Sequence, residues 1–181
     1  MHRWADVHLT FNLIRSLSKA LDDDLRRIAR PYHLTGSQLH LLSLLYQEDG
    51  VSISTIAQRG LWHISSAFHN VAKLEQLGLV TTRSNQEDER ITEVHLTEEG
   101  RRLFDAVSGE IEQSRVIQAI QKLQEHMGSQ QELPVQIGLF LCEALSGRDF
   151  TQWLLRSTAQ WKQTDNPEDV EKMTDTVYAN H

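Results

Sequence analysis

Residues 51–100 read VSISTIAQRGLWHISSAFHNVAKLEQLGLVTTRSNQEDERITEVHLTEEG, and this stretch decides the fold. Ser52 is a favourable N-cap for a short helix, and Gly60 is placed to end it. A second helix is predicted to begin near His63 and to stop before Gly78. Its apolar residues recur at spacings of four and three, which predicts one buried stripe. That stripe consists of Ala67, Val71 and Leu74.

The opposite face of the second helix carries short, polar or basic side chains with little apolar surface to bury. Such a face is typical of a helix that lies in a DNA major groove, where donors and acceptors meet base edges and a basic end meets phosphate. The predicted DNA-binding residues of this helix are His63, Ser65, Ser66, Phe68, His69, Asn70 and Lys73.

Phe68 is the unusual member of that set, because it borders the buried stripe. The favoured interpretation is that Phe68 packs into the core. The alternative is that its ring contacts a thymine methyl group.

After Gly78 the hydrophobic period changes from that of a helix to that of a strand. Residues 79–83 and 91–96 are rich in β-branched side chains and roughly alternate, so they predict two paired strands. The residues from Ser84 to Arg90 are wholly polar and form the connecting hairpin. A helix–turn–helix followed by a hairpin is a winged helix. The predicted fold class is therefore mainly α with a small β-hairpin wing, flanked by N- and C-terminal helices.

This stretch resembles the MarR family of bacterial regulators through four motifs in order. They are Ile56-Ala57, Leu74-Glu75-Gln76-Leu77-Gly78-Leu79-Val80, Asp88-Glu89-Arg90 and Leu96-Thr97-Glu98-Glu99-Gly100. The resemblance implies that Arg90 enters the DNA minor groove and that Asp88 orients the wing through an ion pair. Lys73 and Arg83 are expected to contact phosphate. Glu87 and Glu89 would repel phosphate, so the hairpin has to turn them outward.

Further matches are similar to the Hpr (ScoC) subfamily of that family. They are Lys19-Ala20-Leu21, Arg30-Pro31-Tyr32, His63-Ile64-Ser65-Ser66-Ala67-Phe68 and Asp149-Phe150, together with two additional C-terminal helices. This resemblance implies a transition-phase regulator of extracellular-protease and sporulation genes, and a repressor. It implies a homodimer on a pseudo-palindromic operator of double-stranded DNA, with no cofactor.

The N-terminal segment predicts one long amphipathic helix from about Asp6 to Arg30, stopped at Pro31. Its stripe repeats at spacings of four and three, with Leu13 and Leu17 alongside. The stripe consists of Val7, Phe11, Ile14, Ser18, Leu21, Leu25 and Ile28. Another helix has to cover it. Packing between subunits is favoured over packing within one chain, because paired recognition helices must reach successive major grooves roughly 34 Å apart.

The rest of the chain predicts four more helices. Thr35 and Gln38 form a capping box for a core helix that ends near Gly50. One long helix is expected from Thr97 to Leu123, beside the first helix. A linker leads to a helix that begins at Pro134. This helix is apolar nearly all round and is therefore expected to be buried. A last helix is marked by Phe150, Trp153, Leu154 and Trp161. The expected domains are a dimerisation helix at 1–34, a winged helix–turn–helix at 35–100, a helical dimerisation region at 101–162 and a flexible acidic tail at 163–181.

The composition bounds the possible functions. The chain has 181 residues and a net charge of −7, and residues 35–100 carry four Arg or Lys against nine Asp or Glu, a balance of −5. We therefore expect low non-specific DNA affinity and a steep dependence on salt. There is no apolar run of membrane-spanning length and no signal peptide, and Cys142 is the lone cysteine, so a cytoplasmic protein is expected. Cys142 is interpreted as a buried, inert thiol, with a redox switch as the alternative.

Three other function classes compete with a DNA-binding regulator. An enzyme is disfavoured, because no Ser/His/Asp order, Gly-rich phosphate loop or HExxH helix occurs. A metal- or small-ligand-responsive sensor is the second class, although the histidines lack ligand spacing and no residue identifies an effector. The histidines considered are His2, His8, His33, His40, His95 and His126. A protein-interaction module without DNA binding is the third class, and the acidic charge favours it.

Overall fold

The computed structural model describes residues 3–85, 88–127 and 133–162. The predicted acidic tail at 163–181, His2 and Glu87 lie outside the described residues. The chain divides into two compact units, Met1–Gln121 and Lys122–His181. No helix among the described residues combines the length and the apolar character needed to cross a membrane.

Helices and short strands follow one another in an order that begins and ends with helices. They are α1 (Arg3–Ala29), a 3-10 turn (Arg30–Tyr32), α2 (Gly36–Gln47), β1 (Val51–Ser52), α3 (Ile53–Arg59), α4 (Ile64–Gln76), β2 (Val80–Ser84), β3 (Thr92–Leu96), α5 (Glu98–Glu112), α6 (Arg115–Met127), α7 (Leu133–Ser146) and α8 (Arg148–Lys162). The mainly helical fold class with a small wing is confirmed.

Local capping explains where three helices begin. Thr35 accepts a hydrogen bond from the Gln38 N–H (3.2 Å) while Gln38 Oε1 accepts one from the Thr35 N–H (2.8 Å), which confirms the predicted capping box. Ser52 Oγ accepts from the N–H of the third residue after it at 3.1 Å and starts α3. Thr97 starts α5 in the same way, at 3.0 Å. Each cap satisfies an N–H that the helix leaves without a partner.

The sheet has three antiparallel strands in the order β1-β3-β2. The predicted hairpin is confirmed, with Val80 opposite Leu96 and Arg83 opposite Glu93. The third strand, β1, was not predicted. It is two residues long, and its pairing of Val51 with Val94 joins positions far apart in sequence.

One hydrophobic core lies between α1, α2, α4, α5 and the sheet. Its fully enclosed side chains come from all of these elements and from α3. We call residues 35–100 the winged unit, and α1 and α5 complete its core. The enclosed side chains include Ile28, Leu39, Leu42, Leu45, Ile56, Leu74, Val80, Val94 and Val107. Burial of a side chain of this size contributes roughly 1.5–3 kcal/mol.

The prediction of one long helix after Thr97 is wrong, because α5 ends at Glu112 and α6 begins at Arg115. The break lies at Ser114, whereas Gly109 lies inside α5. Asp24 of α1, which is 1% exposed, accepts hydrogen bonds from Arg115 Nε (2.7 Å) and from the Val116 N–H (3.1 Å). This carboxylate therefore occupies the start of α6, where a continuing helix would have used the same N–H groups internally.

The N-terminal two-thirds of α1 is exposed along its apolar stripe. Phe11 is 58% exposed and Leu17 is 66% exposed, and Val7, Ile14 and Leu21 are exposed as well. Only the last part of the helix, at Leu25 and Ile28, packs against the core. The described part of this chain therefore leaves the predicted stripe uncovered.

The prediction that α7 is buried on all sides is wrong. Ile137, Phe140, Leu141 and Leu145 are exposed, because within the second unit α8 covers only one side of this helix. The buried apolar side chains of the two helices are Leu139 of α7 and Phe150 of α8. Cys142 is half-buried, so its full burial was also wrong.

Candidate nucleic-acid interface

The second helix of the helix–turn–helix is α4, and its two faces differ as predicted. Ala67, Val71 and Leu74 are buried in the core, which confirms the apolar stripe. The remaining polar positions form an arc directed to solvent. In that arc His63, Ser65, Ser66, His69 and Lys73 are exposed, and Asn70 is half-buried. The hydroxyl, imidazole and ammonium groups of this arc can donate or accept hydrogen bonds without first leaving the core.

Phe68 does not pack into the core and is 62% exposed, so the favoured interpretation of its position was wrong. In an α-helix each residue turns the side-chain direction by about 100°, and that rotation takes Phe68 out of the stripe that begins at Ala67. Ile64 is exposed beside it. Two apolar side chains therefore accompany the polar arc, and Ile64 was not among the predicted site residues.

A carboxylate of α4 fixes this helix to the wing. Glu75 Oε1 accepts hydrogen bonds from the Thr82 N–H (2.9 Å) and from Thr82 Oγ1 (2.6 Å). Between the two, Gly78 adopts a φ of +71°, which ends α4 and turns the chain directly into β2. We call these two hydrogen bonds the Glu75–Thr82 brace. The contact of Glu75 with Thr82 was not predicted, because the sequence shows Glu75 only as part of a family motif and as one of the nine acidic residues in 35–100.

The base of the wing is joined to α5. Thr97 Oγ1 donates to the Gly78 carbonyl (2.7 Å), and the Thr97 N–H donates to the Leu79 carbonyl (3.1 Å). A Cβ atom at Gly100 would lie 2.1 Å from the Leu79 carbonyl oxygen, so only glycine allows this approach. The Leu96–Gly100 motif therefore packs the start of α5 closely against the start of β2.

The wing presents Arg90 at its tip, with 90% of the side chain exposed. Arg90 Nε and Nη2 donate to the two carboxylate oxygens of Asp88, both at 2.9 Å, which forms the expected ion pair. The hydrogen bond from Arg90 lowers the pKa of Asp88, and the same contact raises the pKa of Arg90. Because the guanidinium is largely exposed and Asp88 is only half-buried, the pair orients Arg90 more than it stabilises the fold.

Asn85 organises the turn of the wing. Its side-chain Oδ1 accepts from the Asp88 N–H (2.8 Å), its own N–H donates to the Ile91 carbonyl (2.8 Å), and its amide nitrogen contacts Glu93 on β3. Asn85 was not predicted, although an asparagine that precedes a polar hairpin is a recognised turn signal. Arg83 and Glu89 are exposed on the same hairpin.

The histidines considered for the metal-responsive alternative do not form a cluster among the described residues, which do not include His2. Within the described ranges, no group of three or more His, Cys, Asp or Glu side chains lies close enough to hold a metal ion. His40 packs edge-on against Trp62, with ring centroids 5.2 Å apart, and burial lowers its pKa. His95 lies 3.5 Å from Glu93 and 3.9 Å from Asp49.

A helix–turn–helix with an exposed second helix, followed by a braced hairpin, defines a winged helix–turn–helix unit. Residues 34–92 match the model of the MarR family, and the chain carries a MarR family domain.

Two relatives and one solved structure extend this result. The chain is 40% identical over 97 residues to "HTH-type transcriptional regulator Hpr" of Halalkalibacterium halodurans, which covers 54% of this chain and 50% of the relative. It is 37% identical over 103 residues to "DNA-binding transcriptional repressor ScoC" of Bacillus subtilis. This alignment covers 57% of this chain and 51% of the relative. The chain therefore matches about half the length of these relatives. The crystal structure of the transcriptional regulator SlyA matches with a TM-score of 0.66 and 19% identity, over 80% of this chain and 98% of that one.

Proposed function

We propose that this protein is a sequence-specific regulator of transcription that binds double-stranded DNA as a homodimer on a pseudo-palindromic operator. The observation that carries the proposal is the solvent-directed polar arc of α4, supported from behind by a complete core and from the side by the Glu75–Thr82 brace. A rigid helix with exposed hydrogen-bonding groups is what reading of base edges in a major groove requires.

Each side chain of the site has a proposed role in this complex. Ser65, Ser66 and His69 read base edges near the N-terminal half of α4, while His63 and Asn70 lie at the margins of the contact. Phe68 is exposed and therefore free to contact a thymine methyl group. Lys73 and Arg83 contact phosphate. Arg90 enters the minor groove, and Asp88 orients it.

The homodimer is proposed because of the uncovered stripe on α1. Large apolar side chains at Phe11, Ile14 and Leu17 face solvent, and a contiguous patch of this kind marks an interaction surface. A second copy of the chain supplies a matching surface by two-fold symmetry. In this scheme residues 1–34 and 101–162 form the dimerisation layer, and residues 35–100 bind DNA.

The regulatory direction is proposed from the relatives. One of them is described as a DNA-binding transcriptional repressor, and several others share the name Hpr. We propose that this protein is also a repressor, of the transition-phase type that the resemblance implies, and that it acts in the cytoplasm where its DNA target lies. No enzymatic activity is proposed.

In vitro selection from a random 30-bp duplex library at 50 mM salt tests the proposal. We expect enrichment of a two-fold symmetric motif whose halves are about one helical turn apart. Ser66→Ala and His69→Ala should change the selected motif, whereas Ser16→Ala on α1, an exposed serine outside the site, should not. If no duplex is enriched, DNA binding is excluded, and the acidic charge then favours a protein-interaction module.

A further inference from the structure

A cleft lies between the end of α1, the start of α2 and the turn that precedes α4. Its volume is about 460 Å³, and it opens to solvent. Arg26 and Arg30 line it from the α1 side, Ser37 and His40 line it from α2, and Trp62 closes it from the turn. None of these residues belongs to the polar arc of α4 or to the wing.

Gly36 lines the cleft and allows α1 and α2 to approach each other closely. A Cβ atom at Gly36 would lie 3.2 Å from Leu25 Cβ and 3.3 Å from the Arg26 backbone nitrogen. The first turn of α2 therefore lies directly against the backbone of α1 at Arg26. This contact brings Arg26 of α1 and Arg30 of the following 3-10 turn against the winged unit, whose own sequence is acidic.

The charge of the cleft favours an anion. In the part of the chain that the structure describes, no carboxylate forms an ion pair with Arg30, which is exposed. Arg26 is 3.3 Å from Asp23 but remains largely exposed, so this pair is weak. Asp22 also lines the cleft and opposes an anion. Asp23 contacts Lys19 more closely (2.5 Å) than it contacts Arg26, so Arg30 is the cation of the cleft that no carboxylate of the described residues pairs with. His40 adds no charge near neutral pH, because burial lowers its pKa.

The position of the cleft beside α4 points to a backbone phosphate of DNA as the anion. Trp62 is the residue immediately before His63, the N-cap of α4, so the cleft borders the end of the helix that enters the groove. The backbone phosphates of duplex DNA flank the groove on both sides, and phosphate contacts fix the register of a recognition helix. A phosphate beside the N-terminus of α4 would therefore meet Arg26 and Arg30.

We infer that Arg26 and Arg30 form a phosphate-binding site for operator DNA, outside the helix–turn–helix and the wing. This inference rests on the proposed function and adds two DNA-contacting residues that the winged unit itself lacks. It also accounts for how an acidic domain, with four Arg or Lys against nine Asp or Glu in residues 35–100, gains enough phosphate contacts.

The double variant Arg26→Ala/Arg30→Ala tests the site through the salt dependence of operator binding. The slope of log K against log[salt] changes by about 0.9 for each phosphate contact, so loss of four contacts in a homodimer should make the slope shallower by about 3.6. Affinity for operator and for random duplex should fall by the same factor, because phosphates carry no sequence information. In phosphate-ethylation interference, the variant should lose sensitivity at the phosphates that flank each half-site.

The matched control is Lys19→Ala/Arg27→Ala, which removes two positive charges from the same helix outside the cleft. Both side chains are exposed and each contacts an aspartate, Asp23 or Asp24. The control should keep the wild-type slope and interference pattern. If the two double variants have equal slopes, the effect is one of net charge alone and the site is overturned.

The remaining outcomes separate this inference from the proposed function. If the wild-type protein binds no operator, the proposed function fails and the phosphate site fails with it. If the wild-type protein binds but the Arg26/Arg30 variant keeps its slope, only the phosphate site fails. Titration calorimetry with benzoate tests whether a small organic acid, rather than a DNA phosphate, binds in the cleft. Arginine-dependent benzoate binding together with an unchanged DNA slope would overturn the phosphate site.

Discussion

The amphipathic helices α4 and α1 have the same spacing of apolar residues, but their apolar stripes differ in burial. The apolar stripe of α4 is buried in its own chain, and its polar arc faces solvent. The stripe of α1 is itself exposed over the first two-thirds of the helix and buried only near Ile28. The difference teaches that the core of the winged unit is closed within one chain, whereas the described residues leave the first two-thirds of the α1 stripe uncovered.

The largest expected effect is on the α1 stripe. Phe11→Asp/Leu17→Asp should convert the proposed homodimer into a monomer, because four large apolar side chains per dimer would no longer be buried, at about 1.5 kcal/mol or more each. Sedimentation equilibrium should show a dissociation constant raised by at least about 10⁴-fold. Ser16→Asp, on the opposite face of α1, is the control and should leave the dimer intact. A wild-type protein that is monomeric at micromolar concentration would refute the stripe as an interface.

The next effect is on the buried stripe of α4. Leu74→Ala should lower the free energy of unfolding by about 3 kcal/mol, because it leaves a cavity in the core. Leu77→Ala, at the exposed residue that follows α4, should cost less than about 1 kcal/mol. Urea denaturation at one fixed protein concentration measures both. Equal losses would contradict the contrast between the two faces.

A third prediction concerns Asp24, which anchors the buried part of α1 to the start of α6. Burial by itself would raise the pKa of Asp24, but the hydrogen bonds from Arg115 and the Val116 N–H outweigh burial and lower it. A carboxylate with a lowered pKa stabilises the fold above its unfolded pKa, and this stability is lost as the pH falls below about 4. Asp24→Asn should cost about 2 kcal/mol at pH 7 and remove part of the acid dependence.

Thermal unfolding from pH 7 to pH 3 measures that difference. The curves of the wild-type protein and Asp24→Asn should converge at the acid end. Curves that stay parallel over this range would show that Asp24 does not carry the dependence. Asp22→Asn, at an exposed aspartate of the same helix, is the control for a change of net charge.

The smallest predicted effect is on the wing. Arg90→Ala should weaken operator binding by about 1–3 kcal/mol, with stability unchanged because the side chain is exposed. Arg102→Ala removes the same charge from α5, where Arg102 contacts Glu98 and Glu99, and should have little effect. A fluorescence-anisotropy titration measures both affinities. Equal affinity for the wild-type protein and Arg90→Ala would remove the wing from the DNA interface.

Much of the winged unit could be predicted from the sequence, because its signals are local. Thr35, Ser52 and Thr97 each cap a helix through the third residue after them, and Gly78 marks the end of α4 by its own backbone conformation. The stripe of α4 follows from periodicity alone. These features depend on residues within one or two helical turns.

The features that were missed depend on residues distant in sequence. The helix break at Ser114 is set by Asp24, about 90 positions earlier, and β1 exists only through its pairing with β3. Periodicity also does not say what covers an apolar face. That is why α7 and Phe68 were predicted to be buried and are exposed. The roles of the DNA-contacting residues remain predictions.

The Glu75–Thr82 brace has a consequence for the DNA that this protein can read. Because it joins the end of α4 to β2, the brace would keep the major-groove and minor-groove contacts of one subunit at a constant separation in the proposed DNA complex. A base pair inserted inside a half-site would therefore put one contact out of phase with the other. In the proposed homodimer, insertions between half-sites can be absorbed only where the two subunits meet, so tolerance for variable operator spacing would be set by the packing of α1 rather than by the winged unit.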